Sequence, residues 1–338
     1  MSTNSSRRAR IVSTGSYIPE LRLTNDTLSR MVETNDEWIR ERTGISERRI
    51  NTELSARETA LTAAKRALDA SGLAPPDIDI IIACTVTNDN FTPALACCVQ
   101  ADLGAVNAFA FDLNAGCSGS VYALETASAF ISAERPGSKR IDHALIVCSE
   151  NLSRITDYTD RSSCILFGDG AGAAVVSADT EHGLLSSFVR TDGTGAGAIT
   201  AKALTPVIAK EDGIVENNPE AIRPGLVMNG REVYRFAVKA VPDAVQAAMD
   251  AAGVTADALK YLILHQANTR IIASAVERLG IDPAKAPTNI ENLGNTSSAS
   301  IPILLDELNR AGKLTRGDKL ALCGFGSGLT WGAAILEW

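Results

Sequence analysis

Two stretches of the chain share one hydrophobic rhythm. From Ala67, ALDASGLAPPDIDIIIACT reads as an Ala-rich amphipathic helix that stops at Gly72, then a polar link and a β-branched apolar run. From Ala248, 181 residues later, AMDAAGVTADALKYLILHQ repeats that order and stops its helix at Gly253. Apolar positions at helical spacing, a glycine at the C-terminal end and a short continuous apolar run predict a helix, a turn and a buried strand in each copy. Cys84 and His265 fall at equivalent strand ends. The likeness continues at the turns Gly116-Cys117-Ser118 and Gly294-Asn295-Thr296, here 178 residues apart, each set between an extended segment and a helical one (VYALETASAF and IPILLDEL). Two further strands close each half, HALIVCSEN and GAGAAVVSA in the first, KLALCGFGSG and WGAAILEW in the second. Ordered agreement of several elements predicts an internal duplication.

Strands alternating with helices in each half predict right-handed crossovers and mostly parallel sheets covered by helices. Two such sheets sharing central helices make an α/β fold, a five-layered αβαβα sandwich. Its N-terminal half would occupy 1–180 and carry Cys117, and its C-terminal half 181–338 and carry His265 and Asn295. Segment 193–225 lacks periodicity, collects Gly, Pro, Asn and charged residues, and reads as a long loop or lid.

Composition narrows the function. The 338 residues are 45% hydrophobic and 21% charged, enough to bury a large core. The 32 Lys plus Arg against 40 Asp plus Glu give a net charge of −8, the wrong sign for coating nucleic acid or an anionic membrane. No stretch approaches the roughly 20 apolar residues that span a bilayer, and MSTNSSRRAR turns polar too soon afterwards for a secretory signal, so a cytoplasmic location is expected. Seven cysteines without CxxC spacing fit a reducing compartment, and three histidines, His143, His182 and His265, argue against a multi-histidine metal site.

Cys117 is the cysteine that stands out. In FDLNAGCSGSVYALETA a strand-like run meets small residues and then a helical pattern, which puts the sulfur near a helix N-terminus. There the dipole and free backbone N–H groups should lower the thiol pKa, and the small neighbours leave room for a substrate. His265, in YLILHQANTRII, ends an apolar run, and the duplication directs equivalent strand ends towards the interface between halves. By the 178-residue offset Asn295, in ENLGNTSSASIP, occupies the position matching Cys117, so Cys117, His265 and Asn295 are expected in one place. The Gly-rich strings GDGAG and GTGAG lack the strand–GxGxxG–helix context of a dinucleotide loop, whereas GFGSGLTWG offers exposed backbone N–H groups suited to an oxyanion.

These residues resemble the β-ketoacyl-ACP synthase III enzymes of the thiolase superfamily over nearly the whole chain. The resemblance is carried by DEWIRERTGISERR, DLNAGCSGSVYAL, TDRSSCILFGDGAGAAV, HQANTRII, GNTSSASIP and GFGSGLTWG. HQAN with GNTS separates this type from elongating ketosynthases, which use two histidines, and from thiolases, which use a second cysteine. The resemblance implies that Cys117 accepts an acyl group from acyl-CoA while His265 and Asn295 serve decarboxylation of a malonyl thioester carried by an acyl carrier protein. It implies an oxyanion hole from the backbone N–H groups of Cys117 and Ser327, the latter where the family commonly has glycine. CoA would be held by Thr34, Trp38, Arg42 and Arg161.

The acyl pocket implied by the resemblance comprises Leu152, Phe167, Ile199 and Leu226, with Thr92, preceded by Phe91, at the position where a partner subunit can close the tunnel. Arg231, Arg235 and Lys239 recur every four residues on one helical face and, with Lys260 and Arg270, would dock an acidic carrier. The resemblance also implies a homodimer and no permanently bound cofactor, acyl-CoA being a substrate. Insertion around SAERPGSKRID and the altered long loop point to a specialised paralogue, in fatty acid or polyketide biosynthesis. One alternative keeps the acyl-cysteine but passes the acyl group to a small alcohol or amine without decarboxylation. Another, an inactive partner subunit, would be marked by loss of the cysteine.

Overall fold

The computed structural model describes residues 7–201, 207–209, 215–217 and 225–338. Its two main sheets follow the predicted duplication. The first has the strand order Arg8–Tyr17, Asp169–Asp179, His143–Asn151, Ile80–Cys84, Phe109–Leu113; the second runs Leu259–Leu264, Lys319–Gly326, Thr330–Glu337, Gly183–Thr191. The chain passes from one sheet to the other between Asp179 and Gly183. Four strands correspond in order and position, while Phe109–Leu113 has no counterpart in the second sheet among the described residues.

The sheets are mixed rather than mostly parallel. Ile80–Cys84 is parallel to both its neighbours and Leu259–Leu264 to its one neighbour, but Asp169–Asp179 and Thr330–Glu337 are antiparallel to everything they pair with. In the second half the reason is local: only three residues separate Gly326 from Thr330, too few for the crossover that parallel pairing needs.

Helices cover the sheets in five layers. Ala56–Ser71 and Leu95–Leu103 pack on the outer face of the first sheet, Gly119–Ser132 and Ser300–Arg310 lie between the sheets, and Gly230–Ala252 and Thr269–Leu279 cover the second sheet. Local chemistry sets these helices. Ser55 and Glu58 form a reciprocal capping box at the start of Ala56–Ser71, and Gly72 ends it in the left-handed conformation (φ 74°). Ala60, Ala63, Ala64 and Ala67 are fully buried, so this helix lies close against the strands. Segment 193–225 is not a structureless loop: Gly193–Ala198 is a 3-10 turn, Ile199–Ala201 pairs with Leu226–Met228, and Val207–Ala209 pairs with Val215–Asn217. The rest of that expected lid, 202–206, 210–214 and 218–224, lies outside the described residues.

The repeat keeps the 181-residue offset at its central turns and helices. The turns Gly116–Ser118 and Ser297–Ala299 and the helices Gly119–Ser132 and Ser300–Arg310 start 181 residues apart, and Gly116 (φ 53°) and Ser297 (φ 49°) share a left-handed backbone. The 178-residue match of the glycines was therefore three residues out of register. The counterpart of Cys117 is Ser298, and that of Asn295 is Asn114. Asn295 reaches the site by another route.

Candidate active site

Cys117 sits in the 3-10 turn ahead of the central helix Gly119–Ser132. The turn is tied to the second sheet by two hydroxyls: Ser118 Oγ lies 2.9 Å from Thr330 Oγ1, which is 2.8 Å from the Ala115 carbonyl. Two glycines allow the close approach. Gly116 adopts positive φ, and a Cβ there would come within 3.2 Å of the Ser327 backbone; a Cβ on Gly326 would come within 2.9 Å of the Cys117 Cβ and N. The strand end carrying Ser327 thus lies directly against the nucleophile turn.

His265 follows the strand Leu259–Leu264 and is held by its backbone N–H, which donates to the Cys323 carbonyl at 2.8 Å, and by Nδ1, 2.7 Å from Ser300 Oγ. Its ring meets Phe325 edge-on, with centroids 5.2 Å apart. Asn295 is clamped through its backbone to segment 166–168: its N–H donates to Leu166 O, and Gly168 N–H donates to its carbonyl. Its Oδ1 accepts the Ser297 N–H at 2.9 Å, which leaves Nδ2 as the outward-facing donor. The wall behind it depends on Arg48, fully buried, whose guanidinium donates to the carbonyls of Leu23 and Ile165 and to Asn25 Oδ1.

Cys117, His265, Asn295 and Ser327 line one cavity of about 270 Å³. Leu152, Phe167, Ile199 and Leu226 line it as expected, joined by Ile155, Ile165 and Met228. Thr92 does not: it is exposed, as is Phe91, and within a single chain it stands outside the wall. Arg42 is at the cavity, and its guanidinium lies 5.5 Å from the Trp38 ring centroid; that of Arg161 lies 5.1 Å from the same ring. Thr34 Oγ1 is buried without a hydrogen-bond partner. Arg231, Arg235, Lys239, Lys260 and Arg270 are all exposed, and Arg270 bonds Glu41 through its carbonyl and side chain.

Electrostatics reverse one expectation. The net shift of the Cys117 thiol is upward, not downward: burial pushes it up to about 12, the Glu150 charge adds to this, and hydrogen bonds from Ser297 and the backbone oppose it. Burial also pushes His265 down to about 3, so its imidazole is neutral at physiological pH. Glu150, fully buried, accepts the Val86 N–H and the Thr87 and Ser298 hydroxyls, yet its desolvation still raises its pKa. Sequence reading singled out neither Glu150 nor Ser300. The available signal was a carboxylate ending the apolar strand HALIVCSEN and a run of hydroxyls, 297, 298 and 300, at the head of an apolar helix.

Comparison with known proteins bears on what this arrangement does. The family described as 3-oxoacyl-[acyl-carrier-protein (ACP)] synthase III matches residues 111–193, and its C-terminal counterpart matches 249–338. The β-ketoacyl-[acyl-carrier-protein] synthase III of Clostridium acetobutylicum is 42% identical over 330 residues, 97% of this chain and 98% of its own length. The crystal structure of the Aquifex aeolicus 3-oxoacyl-[acyl-carrier-protein] synthase III superposes with TM-score 0.86 at 39% identity, covering 98% of this chain and 100% of that one. The priming β-ketosynthase of the R1128 polyketide pathway superposes with TM-score 0.89 at 37% identity, covering 98% and 97%.

Proposed function

The chain belongs to the 3-oxoacyl-[acyl-carrier-protein] synthase III family, and from that premise we propose that it loads an acyl group from acyl-CoA onto Cys117 and condenses it decarboxylatively with malonyl-ACP to a β-ketoacyl product. The observation that carries the assignment of roles is the convergence of Cys117, His265 and Asn295, from three separate elements, on one cavity. In the first half-reaction Sγ attacks the thioester carbonyl, the C–S bond to CoA breaks, and the cysteine proton ends on the released CoA thiol. Charge on the carbonyl oxygen is met by the N–H groups of Cys117 and Ser327, and charge developing on sulfur by the N-terminus of the helix behind it. In the second, the malonyl C–C bond breaks, CO2 leaves, the enolate carbon attacks the acyl carbonyl, and the C–S bond to Cys117 breaks, releasing a thiolate that takes a proton from water. Asn295 Nδ2–H and a neutral His265 N–H stabilise the enolate oxygen.

The remaining assignments follow the same reading. Trp38, flanked by two guanidiniums, and the unpartnered Thr34 hydroxyl suit the adenine of CoA. The exposed cations Arg231, Arg235, Lys239 and Arg270 suit an acidic carrier protein. A second copy of the chain would bring Phe91 and Thr92 to the acyl end, in a cytoplasmic homodimer without a resident cofactor. The test combines intact-mass analysis against an acyl-CoA panel with a CO2 assay using malonyl-ACP. An acyl adduct that disappears in Cys117→Ala, with CO2 release lost in Asn295→Ala while acylation persists, is expected. Acylation without CO2 in the unaltered protein would transfer the case to acyl transfer onto an alcohol or amine.

A further inference from the structure

If His265 gives a hydrogen bond to the enolate oxygen while neutral, its single ring proton must be on Nε2, because Nδ1 faces Ser300 in the protein interior. The surroundings of Ser300 decide where that proton goes. Its hydroxyl has one hydrogen and three polar neighbours: His265 Nδ1 at 2.7 Å, the Ser297 carbonyl at 2.9 Å and the Gln266 N–H at 3.4 Å. The Gln266 N–H can only donate, so it occupies a lone pair of Oγ. The Ser297 carbonyl already accepts the backbone N–H of Ser300 itself, so it is not left unsatisfied when the hydroxyl turns away. The hydroxyl hydrogen is therefore free to point at Nδ1.

We propose that Ser300 is a positioning residue that donates its hydroxyl to Nδ1 and so fixes His265 as the Nε2–H tautomer, the form that can donate into the cavity. The inference rests on the donor role given to His265 above. The placement of Ser300 suits this role, since it is buried, it begins the central helix Ser300–Arg310, and that helix is anchored in the interior shared by both sheets. The imidazole is thereby oriented from its far side by a rigid element, with Phe325 in edge contact beside it. An alanine there would leave Nδ1 without a partner and allow either tautomer.

The chain has three histidines, so the test is direct. In the full-length protein labelled with 15N-histidine, long-range 1H–15N correlation, with His265 assigned by its loss in His265→Asn, should show a protonated Nε2 and an unprotonated Nδ1. A protonated Nδ1 overturns the proposal. Ser300→Ala should shift this pattern and slow condensation about 10- to 100-fold, by analogy with the loss on removing the outer partner that orients a metal-bound histidine, while acylation of Cys117 stays within about twofold. Ser300→Thr, which keeps the hydroxyl, should restore both readouts. Unchanged tautomer and condensation in Ser300→Ala, or equal loss of both half-reactions with the tautomer unchanged, would also overturn it. The tautomer measurement needs no turnover, so it is separate from a failure of the unaltered protein to release CO2, which would count against the reading of His265 instead.

Discussion

Replacing Gly326 with alanine places one methyl group where the nucleophile turn already is. An ideal Cβ would lie 2.9 Å from both the Cys117 Cβ and N and 3.2 Å from Sγ. Restoring ordinary contact requires a displacement of roughly 0.5–1 Å by the turn or by the strand Lys319–Gly326. Neither yields easily: the strand is paired on both sides, and Thr330 holds the turn through Ser118 and Ala115. Overpacking of this kind costs about 1–3 kcal/mol, and at roughly 2–4 °C per kcal/mol the melting temperature should fall by several degrees. The effect on chemistry should be larger, since about 1 Å of misplacement can cost on the order of 100-fold. The assay is the rate of acyl-adduct formation by intact mass beside a thermal melt, with Gly197→Ala, whose Cβ would meet nothing, as control. Wild-type acylation and melting in Gly326→Ala would refute the claim that close packing of these two segments sets the nucleophile's position.

Two further outcomes are expected. With the Cys117 pKa at about 12, the thiolate fraction is far below half in the neutral range, so alkylation by iodoacetamide should climb about tenfold per pH unit from roughly pH 6 to roughly pH 9; a plateau below about pH 8 would contradict the direction of the shift. Arg48→Met would strip the donors from Leu23 O, Asn25 Oδ1 and Ile165 O. It should cost on the order of 3 kcal/mol or more, measured by denaturant unfolding, and a loss below about 1 kcal/mol would show that the guanidinium does not hold this wall.

Much of the architecture was legible because periodicity survives duplication. Helix stops at Gly72 and Gly253 and the two pairs of terminal strands lie where the apolar runs end. Strand direction was not legible in the same way, because a continuous apolar run is compatible with either pairing and only the length of the connection decides. The three-residue slip at Asn295 arose because Gly-Cys-Ser and Gly-Asn-Thr look alike, whereas backbone conformation pairs Gly116 with Ser297. The thiol's raised pKa was hidden for another reason. A helix end can be read from sequence, but the desolvation and the charge of Glu150 come from segments distant along the chain.

The 181-residue spacing of the two central turns implies that the scaffold contains a second elbow, and that it is mute. Ser298 stands where Cys117 does in its sister half, and Cys84 where His265 does, yet both are sealed from solvent. The difference can be traced along the strand beside each turn. Carrying the pairing of Cys84 with Cys148 and of Leu264 with Cys323 to the strand ends makes Glu150 the twin of Gly326. On one side the absence of a side chain lets sulfur border an open chamber; on the other a carboxyl group fills that volume and bonds Ser298 at 2.7 Å. A single position, vacant in one copy and occupied in the other, thus separates a working face from a sealed one.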